Sequence, residues 1–554
     1  MEQDRRFGPG IRAPRRRRGR RAVAAALGLA ACVVPGVPPP PPASTTTTGG
    51  PVTPGDPGPS DVAFTISSAS GVHPISPRIY GTNGVPPAGV RPGLVRLGGN
   101  RWTAYNWENN ASNAGSDWCY QNDGYLSSSS SPGAAVTPTL TQAASLGATA
   151  LVTVPIVDHV AADKDGGCDV RSTPNYLSVR FKQNKATKPT APSATPDPAD
   201  GYVYEDEYAA WLRANRGGAD VVFSLDNEPD LWSSTHPEVH PTPVGYAELA
   251  SRTIDYAKAV KRGWPGATVT GPVSYGFNGF ESLQNAPDAG GKGSFLDWYL
   301  DQMKAADVAN GGRLLDQLDL HWYPEARGGG VRITGPEATP AVAAARVQAP
   351  RSLWDPAYVE DSWITTDYGY GPIRLLPRTR DRISTHYPGT GIAVTEWNYG
   401  GGTDISGAVA SADVLGVFGR EGVSMAAMWP LNGDERFTYA AFRAFRNYDG
   451  AGHGFGDTAV DAQTSDAATA SVYASYDAAD PNRVVLVAVN KSTSAKTAGI
   501  RLGLPQQYGR ADVWTVTAGG GPQPVAAPGV TAVASNAFSY AMPPMSVSVL
   551  VPRA

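Results

Sequence analysis

At 554 residues the chain is too long for one ordinary core, and 41% hydrophobic residues are enough to fill two or three folding units. A net charge of −4 gives no general attraction to nucleic acid or to an anionic membrane surface. Charged residues reach only 17%, against roughly 25% in an average globular protein; Gly, Pro, Ser and Thr fill the deficit and imply many loops and turns.

Residues 1–34 read as an export signal. A dense arginine cluster through residue 21 precedes the apolar run AVAAALGLAACVV, which ends at Pro35 and is too short to cross a bilayer comfortably. A basic nucleic-acid arm is rarely followed by such a run. A twin-arginine signal is poorly matched beyond its arginines. Leu29-Ala30-Ala31-Cys32 fits a bacterial lipobox, in which Cys32 becomes the lipidated anchor of an extracellular protein; plain cleavage nearby fits equally well. Residues 35–60, rich in Pro, Thr and Gly, cannot pack a core and are expected to form an extended linker. Cys119 and Cys168 are the two remaining cysteines. In an exported domain they are a natural disulfide pair, with two free thiols as the alternative.

The stretch 61–75 contains the short strand VAFTISSAS. Eight strand candidates follow: RIYGTN (78–83), LVRLGGN (94–100), TALVTVPIV (149–157), DVVFSLDNEP (220–229), TVTGPVSYG (268–276), QLDLHWYPE (317–325), GIAVTEWN (391–398) and VSMAAMWPL (423–431). Helical patterns lie between most of them, at 205–216, 245–262, 294–309 and 406–420. Strand then helix, about eight times over residues 76–450, predicts a (β/α)8 barrel. The runs begin apolar and end in polar or aromatic residues, and the C-terminal ends of barrel strands are where chemistry sits. LGGNR fits no phosphate-binding glycine loop. Residues 451–554 alternate strands with turns and predict an antiparallel β-sandwich, which the strand at 61–75 completes.

Two strand ends carry the chemistry. Asn227-Glu228-Pro229 closes the fourth apolar run, and Glu396 closes the seventh. Glycoside cleavage needs one carboxyl group kept protonated for the leaving oxygen and one ionised to attack or to activate water. A single strand-end glutamate is as well explained by an ion pair, but two in aromatic surroundings point to this reaction. Their separation, which decides between retention and inversion, is not legible in sequence. Trp102, Trp107, Trp118, Trp232, Trp322, Trp397 and Trp429 fall at or after strand ends, where flat rings complement sugar faces. Arg96 is a charge inside an apolar strand. A carboxylate such as Glu396 would account for it, as would an ion pair lower in the barrel. His321 and Tyr323 share a strand face, and either can reach the nucleophile; for His321 a buried structural role is equally open. His236 and His240 have metal-like spacing, but Pro237 and the absence of HExxH favour a shaped loop.

LGGNRWTAYNWENNASNAGSDW, SLDNEPDLWSSTHPEVHP, DLHWYPE and VTEWNYG together resemble glycoside hydrolase family 44, from about residue 62 to the C-terminus. The resemblance implies retaining, endo-acting cleavage of β-1,4-glucans, including xyloglucan, by a barrel with a β-sandwich. It implies Glu228 as acid/base and Glu396 as nucleophile, with Asn227 on the sugar 2-hydroxyl and Arg96, Tyr323 and Trp429 lining the reacting subsite. Asn100, Trp102, Trp107, His321 and Trp397 join them as expected substrate contacts. No cofactor is required. A structural calcium ion is implied as an option, with Asp163, Asp165, Asp169, Glu205 and Asp206 as candidate ligands. The expected partner is a plant-type β-glucan, and the expected state a monomer, secreted or lipid-anchored. The segment 326–376 is long for a β/α connection and bears on substrate preference. The competing readings are an exo-acting arabinofuranosidase or xylosidase on the same plan, and a non-catalytic carbohydrate-binding barrel.

Overall fold

The computed structural model describes residues 50–554; the expected signal, Cys32 and most of the expected linker lie outside them. Eight parallel strands close into a barrel: β1 (Gly81–Asn83), β2 (Leu94–Leu97), β3 (Thr149–Val154), β4 (Asp220–Leu225), β5 (Thr268–Ser274), β6 (Gln317–Trp322), β7 (Gly391–Trp397) and β8 (Met425–Met428). They are the eight runs read from sequence, each paired with its neighbours in chain order, and β8 closes on β1. Leu94, Leu151, Val222, Ala393, Met425 and Ala427 come from five of these strands yet form one buried cluster. They can meet only across the barrel interior, so they are its filling.

The helices lie on the outer faces. Tyr246–Gly263 buries Leu249, Thr253, Tyr256, Ala257 and Val260, a stripe at helical spacing that seats it on the sheet. Phe295–Asn310 stops at Gly311, whose φ of 69° is left-handed. Ile405–Arg420 is buried along nearly its whole length, because it packs between barrel and sandwich. Within that packing the Lys491 ammonium lies 2.8 Å from the Asp413 carboxylate, and the Tyr473 hydroxyl donates to the same carboxylate at 2.6 Å.

The strand Val62–Ser67 sits in the sandwich between Thr458–Thr464 and Lys496–Gly503. The sandwich is antiparallel except at one place: Val62–Ser67 runs parallel to Lys496–Gly503. The expected linker also ends earlier than residue 60. The Val52 and Asp61 amides donate to the Leu504 and Thr497 carbonyls, both at 2.9 Å, so the incoming chain is already bonded along the sandwich. The segment 326–376 is structured, with a two-residue-per-strand hairpin (Arg327–Gly328 with Val331–Arg332) and the helix Pro340–Gln348. Its Trp363, Tyr368 and Tyr370 pack edge-on around Phe277, just after β5, at 5.8, 5.4 and 4.9 Å between ring centroids.

Candidate active site

Glu396 reaches the barrel interior through an irregularity. The β6–β7 register pairs Leu320 with Val394 but His321 with Glu396, so Thr395 is an extra residue. Simple alternation from Ala393 would turn Glu396 outward; the bulge turns it in. Glu228 lies three residues beyond β4, in a left-handed conformation (φ 47°), which costs a non-glycine residue about 1–3 kcal/mol. Its turn is over-determined. The Asp226 carboxylate accepts from the Thr103 hydroxyl (2.7 Å) and the amides of Ile156 (2.7 Å) and Asn227 (2.8 Å). The Glu228 amide donates to the Val273 carbonyl of β5 at 3.0 Å.

One oxygen from each glutamate and one His321 ring nitrogen lie within 4.8 Å of one another. Their nearest oxygens thus approach more closely than the roughly 6.5–9.5 Å between the carboxyl groups of inverting enzymes, which leave room for water. Arg96, fully buried, donates from Nη1 to Glu396 Oε1 (2.6 Å) and Asn83 Oδ1 (2.8 Å), and from Nη2 to Asn227 Oδ1 (2.8 Å). The Tyr323 hydroxyl donates to Glu396 Oε2 at 2.7 Å. Of the two residues expected to reach the nucleophile, Tyr323 does so. His321 instead places Nδ1 2.8 Å from Glu228 Oε1, with Glu396 Oε2 farther off at 3.5 Å. The Arg96 Nη2, which can only donate, is 3.5 Å from His321 Nε2. The Thr395 hydroxyl, which donates to Asp319 at 2.8 Å, lies 3.3 Å from the same Nε2, so both ring nitrogens are engaged and the ring is fixed in place.

The two carboxyl groups are driven apart in pKa. Burial pushes Glu228 well above the ordinary carboxylate range, and the charge of Glu396 pushes it further. Burial also opposes ionisation of Glu396, but the His321 ring, the Arg96 guanidinium and the Tyr323 hydroxyl outweigh it and hold Glu396 below its usual value. Burial pushes His321 below its ordinary value, against the Glu396 charge, which raises it. A pair of titratable groups split in this way has one acid and one base.

A cleft of about 590 Å³ opens beside the pair. Asn100, Trp102 and Trp429 line it as expected, joined by the Asp117–Leu126 loop. Gly99, at φ 94°, is required here, because a Cβ would come within 2.5 Å of the Trp429 ring. Trp118 and Tyr125 stand 61% and 76% exposed. Their loop is fixed by the Cys119–Cys168 disulfide and by Arg101, which pairs with Asp123 at 2.8 Å and lies 4.3 Å over the Tyr125 ring. His236 supports the opposite wall through Nε2, 2.8 Å from the Asn100 carbonyl, and Nδ1, 2.7 Å from Glu238. His240 pairs with Glu248 and the Thr242 carbonyl; neither histidine is placed as a metal ligand.

Several expected contacts are elsewhere. Trp107 is fully buried, stacked on Tyr208 with its indole N–H donating to the Tyr204 carbonyl. Trp397 is fully buried against Phe442, because the bulge that turns Glu396 inward turns its neighbour outward. Trp232 and Trp322 are buried as well. The five acids considered for calcium do not converge. Asp163 pairs with Arg180, Asp169 with Arg171 and Asp206 with Arg262, while Asp165 is exposed. Glu205 is buried without a hydrogen bond, and burial pushes its carboxyl well above the ordinary range. Among the described residues the only cluster with metal-like convergence is Glu228, His321 and Glu396, where Arg96 already supplies the positive charge. Asn83, which orients Arg96, was legible only as the polar end of the GTN run.

A (β/α)8 barrel with an acid and a carboxylate paired at the C-terminal ends of β4 and β7, beside an aromatic-flanked cleft, defines a glycoside hydrolase of the barrel type. The chain belongs to glycoside hydrolase family 44, whose family model matches residues 111–326. It is 43% identical over 519 residues to endoglucanase A of Paenibacillus lautus, covering 89% of this chain and 73% of that one. Among solved structures, a Paenibacillus polymyxa family 44 xyloglucanase with xyloglucan superimposes with a TM-score of 0.85 at 42% identity, covering 89% of this chain and 99% of that one. A family 44 endoglucanase of Clostridium thermocellum does so with a TM-score of 0.84 at 40% identity and the same coverage.

Proposed function

We propose that the protein is an endo-acting retaining hydrolase of β-1,4-glucans, cutting xyloglucan and cellulosic glucan by double displacement. The observation that carries this reading is the carboxyl pair, within 4.8 Å and driven in opposite directions by its surroundings. Glu396, ionised and oriented by Arg96 and Tyr323, attacks the anomeric carbon. Glu228, neutral, gives its proton to the leaving oxygen. His321 Nδ1, hydrogen-bonded to Glu228 Oε1 at 2.8 Å, fixes the orientation of the acid. Glu228 then takes a proton from the water that releases the sugar from Glu396. Asn227 Oδ1 accepts from Arg96 and from the Gly99 amide (3.1 Å), which leaves its amide nitrogen for a sugar hydroxyl. Trp429, Trp102 and Trp118 offer ring faces to the chain along the cleft.

The open cleft and the similarity to enzymes that bear endoglucanase and xyloglucanase names support endo action on glucan. The barrel is also shared with an arabinofuranosidase at 14% identity, a likeness of fold alone. The arginine-rich leader supports export, with lipidation at Cys32 or plain cleavage, and action as a monomer outside the cell. The test is a product profile on xyloglucan, carboxymethylcellulose, xylan and mannan. A fast fall in viscosity with mixed-length products is expected on the glucans; release of monosaccharide from chain ends overturns endo action. Glu228→Gln and Glu396→Gln are each expected to lose most hydrolysis while remaining folded, and wild-type activity in either removes the assignment.

A further inference from the structure

The catalytic pair divides the barrel mouth in two. The 590 Å³ cleft lies over β2 and β8, on the arc of the barrel that runs from β7 through β8 and β1 to β4. On the other arc, beside the strand that leads to Glu228, β5 is followed by Tyr275, a large ring left 37% exposed. Two contacts tie this ring to the acid. The Glu228 amide donates to Val273, two residues before Tyr275. Asp230, two residues after Glu228, accepts the Tyr275 amide on both oxygens at 3.2 Å and the Ser274 hydroxyl at 3.0 Å. The two turns are therefore bonded to one another, which sets the Tyr275 backbone beside the Glu228 turn. Arg332, from the hairpin of the 326–376 segment, is held just beyond the end of the neighbouring strand β6. Arg332 donates to the Tyr323 and Pro324 carbonyls, both at 2.9 Å, and pairs with Glu325 at 2.9 Å.

A polymer that crosses the pair has its leaving portion on the side of the group that protonates the leaving oxygen. We propose, building on the assignment of Glu228 as acid, that Tyr275 is the stacking platform for the first sugar of the leaving portion, with the Arg332–Glu325 pair at its hydroxyl edge. The same platform holds an incoming sugar acceptor. In that step the acceptor hydroxyl oxygen bonds to the anomeric carbon, its proton passes to Glu228, and the bond to Glu396 breaks.

The test compares two substrates that share everything except the leaving portion: a cello-oligosaccharide and β-cellobiosyl fluoride, whose fluoride fills no sugar site. In Tyr275→Ala the ratio of kcat/KM on the oligosaccharide to that on the fluoride is expected to fall roughly tenfold, the scale of one sugar–aromatic contact. Transfer to added cellobiose, relative to hydrolysis, should fall with it. Tyr275→Trp keeps a ring and should keep both ratios within about threefold. A Tyr275→Ala enzyme with the wild-type ratio, or one that loses both substrates equally, overturns the proposal. Failure of the underlying assignment reads differently, since it would leave Glu228→Gln active on the oligosaccharide whatever Tyr275 does.

Discussion

Tyr323→Phe removes one hydroxyl and little else. That hydroxyl donates to Glu396 Oε2 at 2.7 Å, while Arg96 holds Oε1 at 2.6 Å from the other side. A hydrogen bond to a charged group is worth about 1.5–3 kcal/mol. At 1.36 kcal/mol per unit, its loss raises the pKa of Glu396 by about 1–2. The sign follows from the starting point. Glu396 is held below its usual value, with the Tyr323 hydroxyl among the groups that hold it there. Removing it moves Glu396 up, and the ionised form that attacks is lost at higher pH than before. The acid limb of kcat/KM, which reports the free enzyme, should therefore shift upward by about 1–2 units. The alkaline limb, set by Glu228, should stay within a few tenths of a unit. Folding stability follows the same linkage: the contribution of ionised Glu396, present above the unfolded carboxylate pKa and lost as pH falls through the folded value, shrinks in the variant. An acid limb that does not move, or an alkaline limb that moves alone, refutes the assignment of Tyr323 as the group that keeps the nucleophile ionised.

Glu396→Gln removes the like charge that, after burial, raises Glu228, so the Glu228 pKa should drop toward the ordinary range; titration of its carboxyl by NMR in this inactive variant checks the direction. Cys119→Ser with Cys168→Ser opens a crosslink of 49 residues, which in the chain-entropy account costs about 4 kcal/mol; thermal melting of the double variant should show the loss, and an unchanged melting temperature would mean the loop is held by its other bonds. Lys491→Met leaves Asp413 buried between barrel and sandwich with only the Tyr473 hydroxyl. It should destabilise the protein by about 3–5 kcal/mol, and Asp413→Leu added to it should recover much of that by denaturant titration.

Sequence and structure agree closely on the barrel and less closely on the site. The eight strands were legible because each is a buried apolar run bounded by turn residues. Glu228 was legible because an acid beside proline at a strand end has few structural uses. The tryptophans were not. Seven follow strand ends, but Trp102, Trp118 and Trp429 face the cleft while Trp107, Trp232, Trp322 and Trp397 are buried. Whether a ring after a strand points to sugar or to a helix is set by the path of the loop, and sequence spacing does not encode that path. Tyr275 and Asp230 carried no signal of their own until the two turns were seen to be bonded together.

What the sequence determined by itself is the identity of the reacting groups and the strands that hold them, because both rest on local residue type and on period-two burial. What only the tertiary structure decided is their aim and their charge. The extra residue at Thr395 turns Glu396 inward and Trp397 outward, reversing what alternation predicts. Arg96, 300 residues from Glu396 in sequence, meets it at 2.6 Å only when β2 and β7 face each other across the closed barrel. The two carboxyl groups part because burial raises both and the Glu396 charge raises Glu228 further, while the Arg96 guanidinium and the Tyr323 hydroxyl hydrogen-bond only to Glu396. That asymmetry is a property of three-dimensional neighbours.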